Sequence, residues 1–276
     1  MDKLLFGTAG IPLSTPHRST AEGIARVKDI GLDCMEIEFV EGFYLKEEEA
    51  REVGYLASGL GVSLSVHAPY YLNFNAHEIR KMKASQGMLR KGVRLAFLCQ
   101  ASSVVFHPGF YLGDGMEETC SIMKKNINDV VSSLEDSVKE HVMLRPEVSG
   151  KKSQFGSLEE ILYLCQGSPY LAPCIDFAHL HARTGGLNSY DEFVSVLESI
   201  KNVLGPEVLN NMHIHVSGIR YGKGGEIAHL ALDESDLKYK ELLKALKDFN
   251  IKGMVISESP TNEEDALILK DSFERL

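Results

Sequence analysis

The chain has 276 residues, of which 44% are hydrophobic and 25% are charged, so its composition is that of a globular protein and excludes a disordered or fibrous one. It carries 29 basic and 39 acidic residues, and the net charge of −10 disfavours nucleic-acid binding through a broadly basic surface. No segment has the roughly 18 consecutive apolar residues of a membrane helix, and no secretory signal is visible. The five cysteines include no CxxC motif, which is typical of reduced thiols and predicts a cytoplasmic protein without a membrane partner.

Eight short apolar segments rich in β-branched residues recur along the chain and are predicted to be buried strands. They cover residues 4–7, 34–39, 63–67, 103–107, 142–148, 172–176, 208–215 and 254–258. Helical spacing of apolar residues predicts helices between them, at residues 21–30, 47–60, 79–98, 116–138, 158–164, 190–203, 239–249 and 263–273. These strand–helix units fill the chain without a linker, so the sequence predicts one α/β domain over residues 1–276, a single (β/α)8 TIM barrel. A doubly wound open sheet is the competing architecture.

The carboxyl ends of the strands in such a barrel converge on one pocket. Seven of the ten histidines lie at these ends or in the loop after the seventh strand, namely His67, His107, His179, His181, His213, His215 and His229. Three carboxylates end the fifth, sixth and eighth strands, namely Glu147, Asp176 and Glu258. Burying so many titratable groups together is costly unless something pairs with them. Because imidazole and carboxylate are the ligands that zinc prefers, the sequence predicts a divalent-metal site.

The seventh strand leaves one choice open. His213 and His215 are two residues apart, so both side chains can face the same side of the strand. One is expected to be a direct metal ligand and the other to lie behind it or contact the substrate. His181 is expected to be a neighbour of the site, and the glycine-rich segment 222–225 is expected to be a turn.

Several motifs, in this order along the chain, resemble the endonuclease IV family of apurinic/apyrimidinic endonucleases, within the wider group of xylose-isomerase-like barrels. They are His67-x-x-Tyr70-x-x-Asn73, Phe106-His107-Pro108-Gly109, Cys174-Ile175-Asp176-x-x-His179 and the last strand with Glu258. The resemblance spans nearly the whole chain. It implies a hydrolase that cleaves DNA on the 5′ side of abasic sites. Separately from the resemblance, the protein is expected to be a monomer.

The resemblance also implies up to three zinc ions. His67, His107 and Glu147 would hold the first, and Glu147 would bridge to a second that also takes Asp176, Glu258 and a seventh-strand histidine. The third would take His179, His229 and a carboxylate. The family has an aspartate two residues before this last histidine, where the chain has Ile227, so Glu226 is the expected substitute. Glu147 would orient the attacking hydroxide as a catalytic residue, and Tyr70 and Asn73 would position the sugar–phosphate backbone.

Two other functions remain open at this stage. The segment 36–44, interpreted as the loop after the second strand, is acidic and aromatic, which argues against its binding duplex DNA. A sugar isomerase or epimerase with one Mn, Mg or Co ion would need only Glu147, Asp176, Glu258 and one seventh-strand histidine. His67, His107, His179 and His229 distinguish the two hypotheses, because a one-metal enzyme does not need them as ligands. A metal-binding barrel without catalytic activity is the third possibility.

Overall fold

Ten β-strands organise the computed structural model, which describes residues 2–276. They are β1 (Leu4–Ala9), β2 (Cys34–Glu38), β3 (Ser63–His67), β4 (Ser103–Phe106), β5 (Met143–Pro146), β6 (Cys174–Asp176), β7 (Met212–Val216), β8 (Gly218–Gly222), β9 (Gly225–Leu230) and β10 (Gly253–Ser257). Eight of them pair in parallel in the order β5-β4-β3-β2-β1-β10-β7-β6, and β8 and β9 form a separate hairpin. Isolated parallel bridges, Leu144 to Leu171 and Glu147 to Cys174, connect the two ends of the sheet. The predicted TIM barrel is therefore confirmed.

Ten helices surround this barrel within the described chain. They are α1 (Thr20–Asp29), α2 (Glu47–Leu60), α3 (Ile79–Leu98), α4 (Met116–Ser132), α5 (Asp136–Lys139), α6 (Leu158–Cys165), α7 (Phe177–Thr184), α8 (Tyr190–Leu204), α9 (Tyr239–Asp248) and α10 (Glu263–Glu274). Each long helix buries one apolar stripe against the strands, as Phe193 and Leu197 of α8 illustrate. None of the helices in residues 2–276 is long and apolar enough to span a membrane.

The structure differs from the predicted elements in several places. The predicted helix 116–138 is interrupted, because the chain leaves the helix at Ser133, whose hydroxyl donates to the Val130 carbonyl. The predicted strand 208–215 begins as a 3₁₀ helix, Pro206–Asn211, and becomes extended only at Met212. Helix α7 was not predicted, although its amino end is capped by Asp176, whose carboxylate accepts from the His179 amide at 2.7 Å.

The β8–β9 hairpin was also not predicted. Its two-residue turn is formed by Lys223 and Gly224, and Gly225, at the start of β9, makes a backbone bridge to Lys151. A Cβ atom at Gly225 would lie 2.1 Å from the Gly150 carbonyl oxygen, so this close approach requires glycine. The hairpin packs on α7 and carries Glu226 and His229 on β9.

We expect Gly253→Ala to destabilise the barrel by about 3 kcal/mol or more. Gly253 has φ +127°, and a Cβ atom there would lie 1.9 Å from the Met212 carbonyl oxygen of the neighbouring strand. Gly87→Ala is the matched control, because a Cβ atom at this α3 position meets nothing within 4 Å. That change should stabilise the protein by about 0.5–1 kcal/mol through helix propensity. Urea unfolding of both variants measures the difference, and equal stabilities would contradict the described strand packing.

Candidate metal centre

The carboxyl ends of six barrel strands bring the predicted ligands to one face. His67 is the last residue of β3, and Asp176 is the last residue of β6. His107, Glu147 and Glu258 directly follow β4, β5 and β10 in the sequence. His215 lies on β7, where its backbone is in register with Asp176 of β6. Since all these strands are parallel, their side chains meet above the same end of the barrel.

Glu147 lies at the centre of this group and is fully buried. Its Oε2 atom is 3.1 Å from His67 Nε2 and 3.3 Å from His107 Nε2. The other oxygen, Oε1, is 3.2 Å from His215 Nδ1 and 3.4 Å from His179 Nδ1. The two oxygens of one carboxylate therefore face two different sets of imidazoles.

The described residues include four sets of possible ligand atoms, each with all atoms within 4.8 Å of one another, and three of these sets contain carboxylates of this site. They are His67, His107 and Glu147; Glu147, Asp176, His215 and Glu258; and Asp176, His179, His229 and Glu258. Glu226 lies beside the third set, with its carboxylate 3.5 Å from His179 Nε2 and 3.9 Å from His229 Nε2. Glu226, which the sequence suggested as a substitute carboxylate, therefore lies close to both histidines of this set.

The two histidines of β7 occupy different depths of the barrel. His215 Nδ1 is 3.2 Å from Glu147 Oε1 and 3.2 Å from Glu258 Oε1, within the second set. His213 is two residues earlier on β7 and lies deeper in the barrel, where its Nε2 atom is 2.9 Å from Glu36 Oε2. His215 is therefore the β7 histidine that faces the carboxylates of the site. His181 points elsewhere, with Nε2 at 3.0 Å from Asp236.

Unsatisfied polar atoms test whether these residues suit a metal ion. Asp176 Oδ2, Glu258 Oε2 and His107 Nδ1 are buried without a hydrogen-bond partner among the described residues. Buried carboxylates and imidazoles with free lone pairs are costly unless a cation pairs with them. The donor set, imidazole nitrogen and carboxylate oxygen, is the one that zinc and similar divalent ions prefer. The residues present therefore fit a divalent metal.

The electrostatics of the site differ among its imidazoles. Burial by itself would lower the pKa of His67, but Glu147 and Glu38 raise that pKa to about 10. Despite burial, neighbouring acidic groups hold the pKa values of His179 and His215 well above the usual range, so a bound metal ion would displace these protons.

Burial lowers the pKa of His107 to about 4, so this imidazole is neutral at physiological pH and can offer a lone pair. Burial by itself would raise the pKa of Glu147, but His107 and His215 outweigh it and hold that pKa well below its usual range. Burial raises the pKa of Asp176 to about 6, although His179 opposes the change. A divalent cation would favour the ionised form of both carboxylates.

A cavity of about 320 Å³ opens onto these residues. It is lined by Tyr70, His107, Lys151, Gln154, His179, Glu226, His229 and Glu258. The Tyr70 ring stacks against His107, with centroids 6.0 Å apart. Asn73, the other predicted positioning residue, does not line the cavity. Its Oδ1 atom accepts from the amides of Asn75 and Phe110, and thereby joins the loops that follow β3 and β4.

Two acidic residues, Glu36 and Glu38, were interpreted both as part of the predicted strand 34–39 and as the start of a loop over residues 36–44. Glu36 and Glu38 belong to β2 itself, so the segment 36–44 is not wholly a loop. Glu36 is fully buried, with Oε2 2.7 Å from Ser65 Oγ and Oε1 3.0 Å from His215 Nε2. Period two along β2 puts residues 34, 36 and 38 on one face, and this spacing is the signal that could have identified them.

Comparison with known proteins places this chain in a family. The model of the xylose isomerase-like TIM barrel family matches residues 24–276. The chain belongs to this family. An uncharacterized protein of Methanocaldococcus jannaschii is 44% identical over 274 residues, which cover 99% of this chain and 98% of that protein.

Named relatives of this xylose isomerase-like barrel include nucleases. A probable endonuclease 4 of Staphylococcus carnosus is 29% identical over 161 residues, or 56% of this chain. The matched segment spans about half of that relative, 52% of its length. Together with the family match, this likeness confirms the resemblance to endonuclease IV.

Solved structures of similar fold include both kinds of enzyme that the sequence suggested. A D-tagatose 3-epimerase-like protein has a TM-score of 0.74 at 22% identity, covering 97% of this chain and 96% of the other. Endonuclease IV from Thermus thermophilus has a TM-score of 0.72 at 20% identity, covering 98% of this chain and 100% of the other. At these identities the likeness establishes the fold, which nucleases and epimerases share.

Proposed function

We propose that this protein is a metal-dependent phosphodiesterase of the endonuclease IV type, which uses a cluster of zinc ions to cleave DNA on the 5′ side of abasic sites. One observation carries the proposal: the two oxygens of Glu147 face two separate sets of imidazoles. A one-metal barrel needs only one such set. The additional histidines His67, His107, His179 and His229 are buried or half-buried in the same cluster.

The ligands divide into three groups by position. The first is His67, His107 and Glu147, and the second is Glu147, Asp176, His215 and Glu258. The third is His179 and His229 with Glu226, which takes the place of Asp176 and Glu258 because these two carboxylates belong to the second group. When bound, divalent ions in such a cluster lower the pKa of water and neutralise charge on a phosphate group. Glu147 lies between the first two groups and orients the attacking hydroxide. Tyr70, half-exposed above His107, contacts the substrate at the mouth of the cavity.

Basic residues at the edge of the cavity support an anionic substrate. Lys151 lines the cavity, and the amide of Lys152 donates to the Gly224 carbonyl at 3.0 Å, beside Lys223 in the hairpin turn. None of the three lysines has a carboxylate within 4.0 Å among residues 2–276. These unpaired cations in an otherwise acidic chain favour a phosphate-bearing ligand at this edge. The acidic segment 36–44 is weaker evidence against DNA than it first appeared, because Glu36 is inside the barrel.

The direct test is cleavage of a labelled DNA duplex with one tetrahydrofuran abasic site. The zinc-loaded protein should cut the damaged strand on the 5′ side of the site, leave an undamaged duplex intact, and lose this activity in a chelator. Absence of cleavage by protein with full metal content would refute the DNA substrate. If the same preparation hydrolysed bis(p-nitrophenyl) phosphate, the protein would still be a phosphodiesterase, with a substrate other than abasic DNA.

A sugar epimerase is the second candidate, since Glu147, Asp176, His215 and Glu258 already form a complete set for one ion. In that case the two glutamates would transfer a proton beside a substrate carbonyl. Conversion of D-tagatose or D-fructose by the one-metal protein, without cleavage of abasic DNA, would favour this function over the proposed one.

We expect Glu226→Gln to lower zinc content by one ion per chain, because it removes the carboxylate next to His179 and His229. Cleavage of abasic DNA should fall by about 10–100-fold, as for loss of groups that support a metal. Glu234→Gln, on the segment after β9, is the control and should change neither quantity. Elemental analysis gives the ion count, and full zinc content in Glu226→Gln would exclude Glu226 from the site.

A further inference from the structure

We propose that Glu36 is a positioning residue that holds the His215 ring with its Nδ1 lone pair turned toward the metal centre. The inference rests on the proposed metal-dependent function and adds a residue to it. Glu36 lies on β2, in register with Ser65 of β3. It is below the ligands rather than among them, and no member of the three ligand groups was expected from this strand.

The two nitrogens of His215 face opposite sides. Nδ1 is 3.2 Å from both Glu147 Oε1 and Glu258 Oε1, whereas Nε2 is 3.0 Å from Glu36 Oε1. His215 and Glu36 are fully buried, so water cannot replace either partner. Neither Nε2 nor Glu36 Oε1 forms an aligned hydrogen bond, so their contact is electrostatic. When a cation lies on the Nδ1 side with Glu147 and Glu258, a neutral imidazole keeps its one N–H on Nε2, where it faces Glu36. The lone pair is then on Nδ1, on the side of Glu147 and Glu258.

Glu36 is itself held in place by two further donors. Ser65 Oγ donates to Oε2 at 2.7 Å, and His213 Nε2 lies 2.9 Å from the same oxygen. These contacts leave Oε1 for His215. An ionised, hydrogen-bonded carboxylate behind a ligand histidine both orients the ring and makes it a better donor to the metal. The role of His213 follows from the same geometry: it supports Glu36 from below instead of binding the metal.

The alternative to a positioning role is that Glu36 is itself a metal ligand. Cys174, His213 and His215 bring ligand atoms within 4.8 Å of one another, deeper in the barrel. If an ion were bound there, Glu36 would be a ligand, and His215 would use Nε2. The two roles predict opposite protonation of the ring and different numbers of ions, so measurement separates them.

The first test is the protonation state of His215 in the zinc-loaded wild-type protein, from ¹⁵N–¹H correlation spectra of the imidazoles, assigned with His215→Gln. We expect a proton on Nε2 and none on Nδ1. A ring with Nε2 deprotonated would overturn the inference. This measurement does not depend on whether a variant of Glu36 folds.

The second test is zinc affinity of Glu36→Gln, measured by competition with a chromophoric chelator. We expect the dissociation constant of the weakest-bound ion to be about 10- to 100-fold higher than in the wild type. The number of ions bound at saturation should be the same. Ser65→Ala is the matched control, since it removes a partner of Glu36 but leaves the carboxylate beside His215; its affinity should change by less than Glu36→Gln.

Three outcomes of the zinc-binding measurements would also overturn the inference. Unchanged affinity in a folded Glu36→Gln protein would show that the carboxylate only fills space, and one ion fewer at saturation would make Glu36 a ligand. Wild-type protein that binds no zinc would overturn both this inference and the proposed function. An intact wild-type centre that is insensitive to Glu36 would overturn this inference alone.

Discussion

Glu147→Gln is expected to abolish cleavage of abasic DNA, with a loss of at least about 100-fold, and to lower zinc content by more than one ion per chain. Its carboxylate is the only one in the described structure that lies within 3.4 Å of histidines from four different strand ends or helices. In the variant, an amide nitrogen replaces one carboxylate oxygen, so the imidazoles on that side lose their acceptor atom. The imidazole sets on both sides also lose the negative charge of Glu147. Loss of a group that only supports a metal ligand already lowers metal affinity or activity by about 10–100-fold. Loss of a ligand shared by two sets should therefore lower them further.

The control for this change is Glu159→Gln, the same substitution at an exposed position of α6. It should keep wild-type zinc content and activity. Circular dichroism and thermal unfolding in the absence of metal check that the Glu147 variant is folded. A folded variant that retained all its zinc would contradict the placement of Glu147 between two ligand sets.

The second large effect is expected for the double variant His67→Ala/His107→Ala. These imidazoles face one oxygen of Glu147, and together with it they form the first ligand set. The variant should lose one zinc ion and at least about 100-fold of the phosphodiesterase activity, while the second set remains complete. Metal content and the abasic-site assay are measured on the same preparation.

This variant also discriminates between the two candidate enzymes. A one-metal epimerase would keep its ion in Glu147, Asp176, His215 and Glu258, and would keep its turnover of ketohexoses. The double variant His17→Ala/His77→Ala is the matched control, because both histidines are exposed and lie outside the site. Unchanged zinc content after removal of His67 and His107 would refute the multi-metal centre.

Much of the barrel was predictable because local pattern and tertiary packing agree there. Helices α2 and α3 have the predicted bounds, 47–60 and 79–98, since their apolar residues recur at helical spacing up to the turn that ends each helix. Strand β3 also has the predicted bounds, 63–67. Because the ligands end strands, the barrel topology alone brings His67, Glu147 and Glu258 together.

The elements that were missed depend on interactions that local patterns do not contain. Helix α7 begins because the Asp176 side chain caps it, and the same carboxylate is oriented toward the metal centre. The β8–β9 hairpin depends on the close approach of Gly225 to Gly150, a contact between segments distant in sequence. The choice between His213 and His215 required the register of β7 against β6 and β10, which periodicity alone leaves open.

Glu36 is a further residue whose burial the local sequence does not predict. An acidic residue in a strand next to a polar loop is most simply interpreted as solvent-exposed, because burying a carboxylate is costly. The cost is offset here by Ser65 of β3, which donates to the carboxylate, and by His213 and His215 of β7, whose Nε2 atoms lie 2.9 and 3.0 Å from its oxygens. Those partners are far from Glu36 in sequence, so only the folded barrel reveals why the carboxylate is inside.

The most direct test of the proposed multi-metal centre is the number and identity of metal ions per chain. Elemental mass spectrometry should be performed on protein purified without chelator and without added metal. The arrangement of Glu147 between two imidazole sets predicts two or three zinc ions per chain. A single ion, above all manganese or magnesium, would contradict the multi-metal centre and redirect the search for a substrate to small sugars.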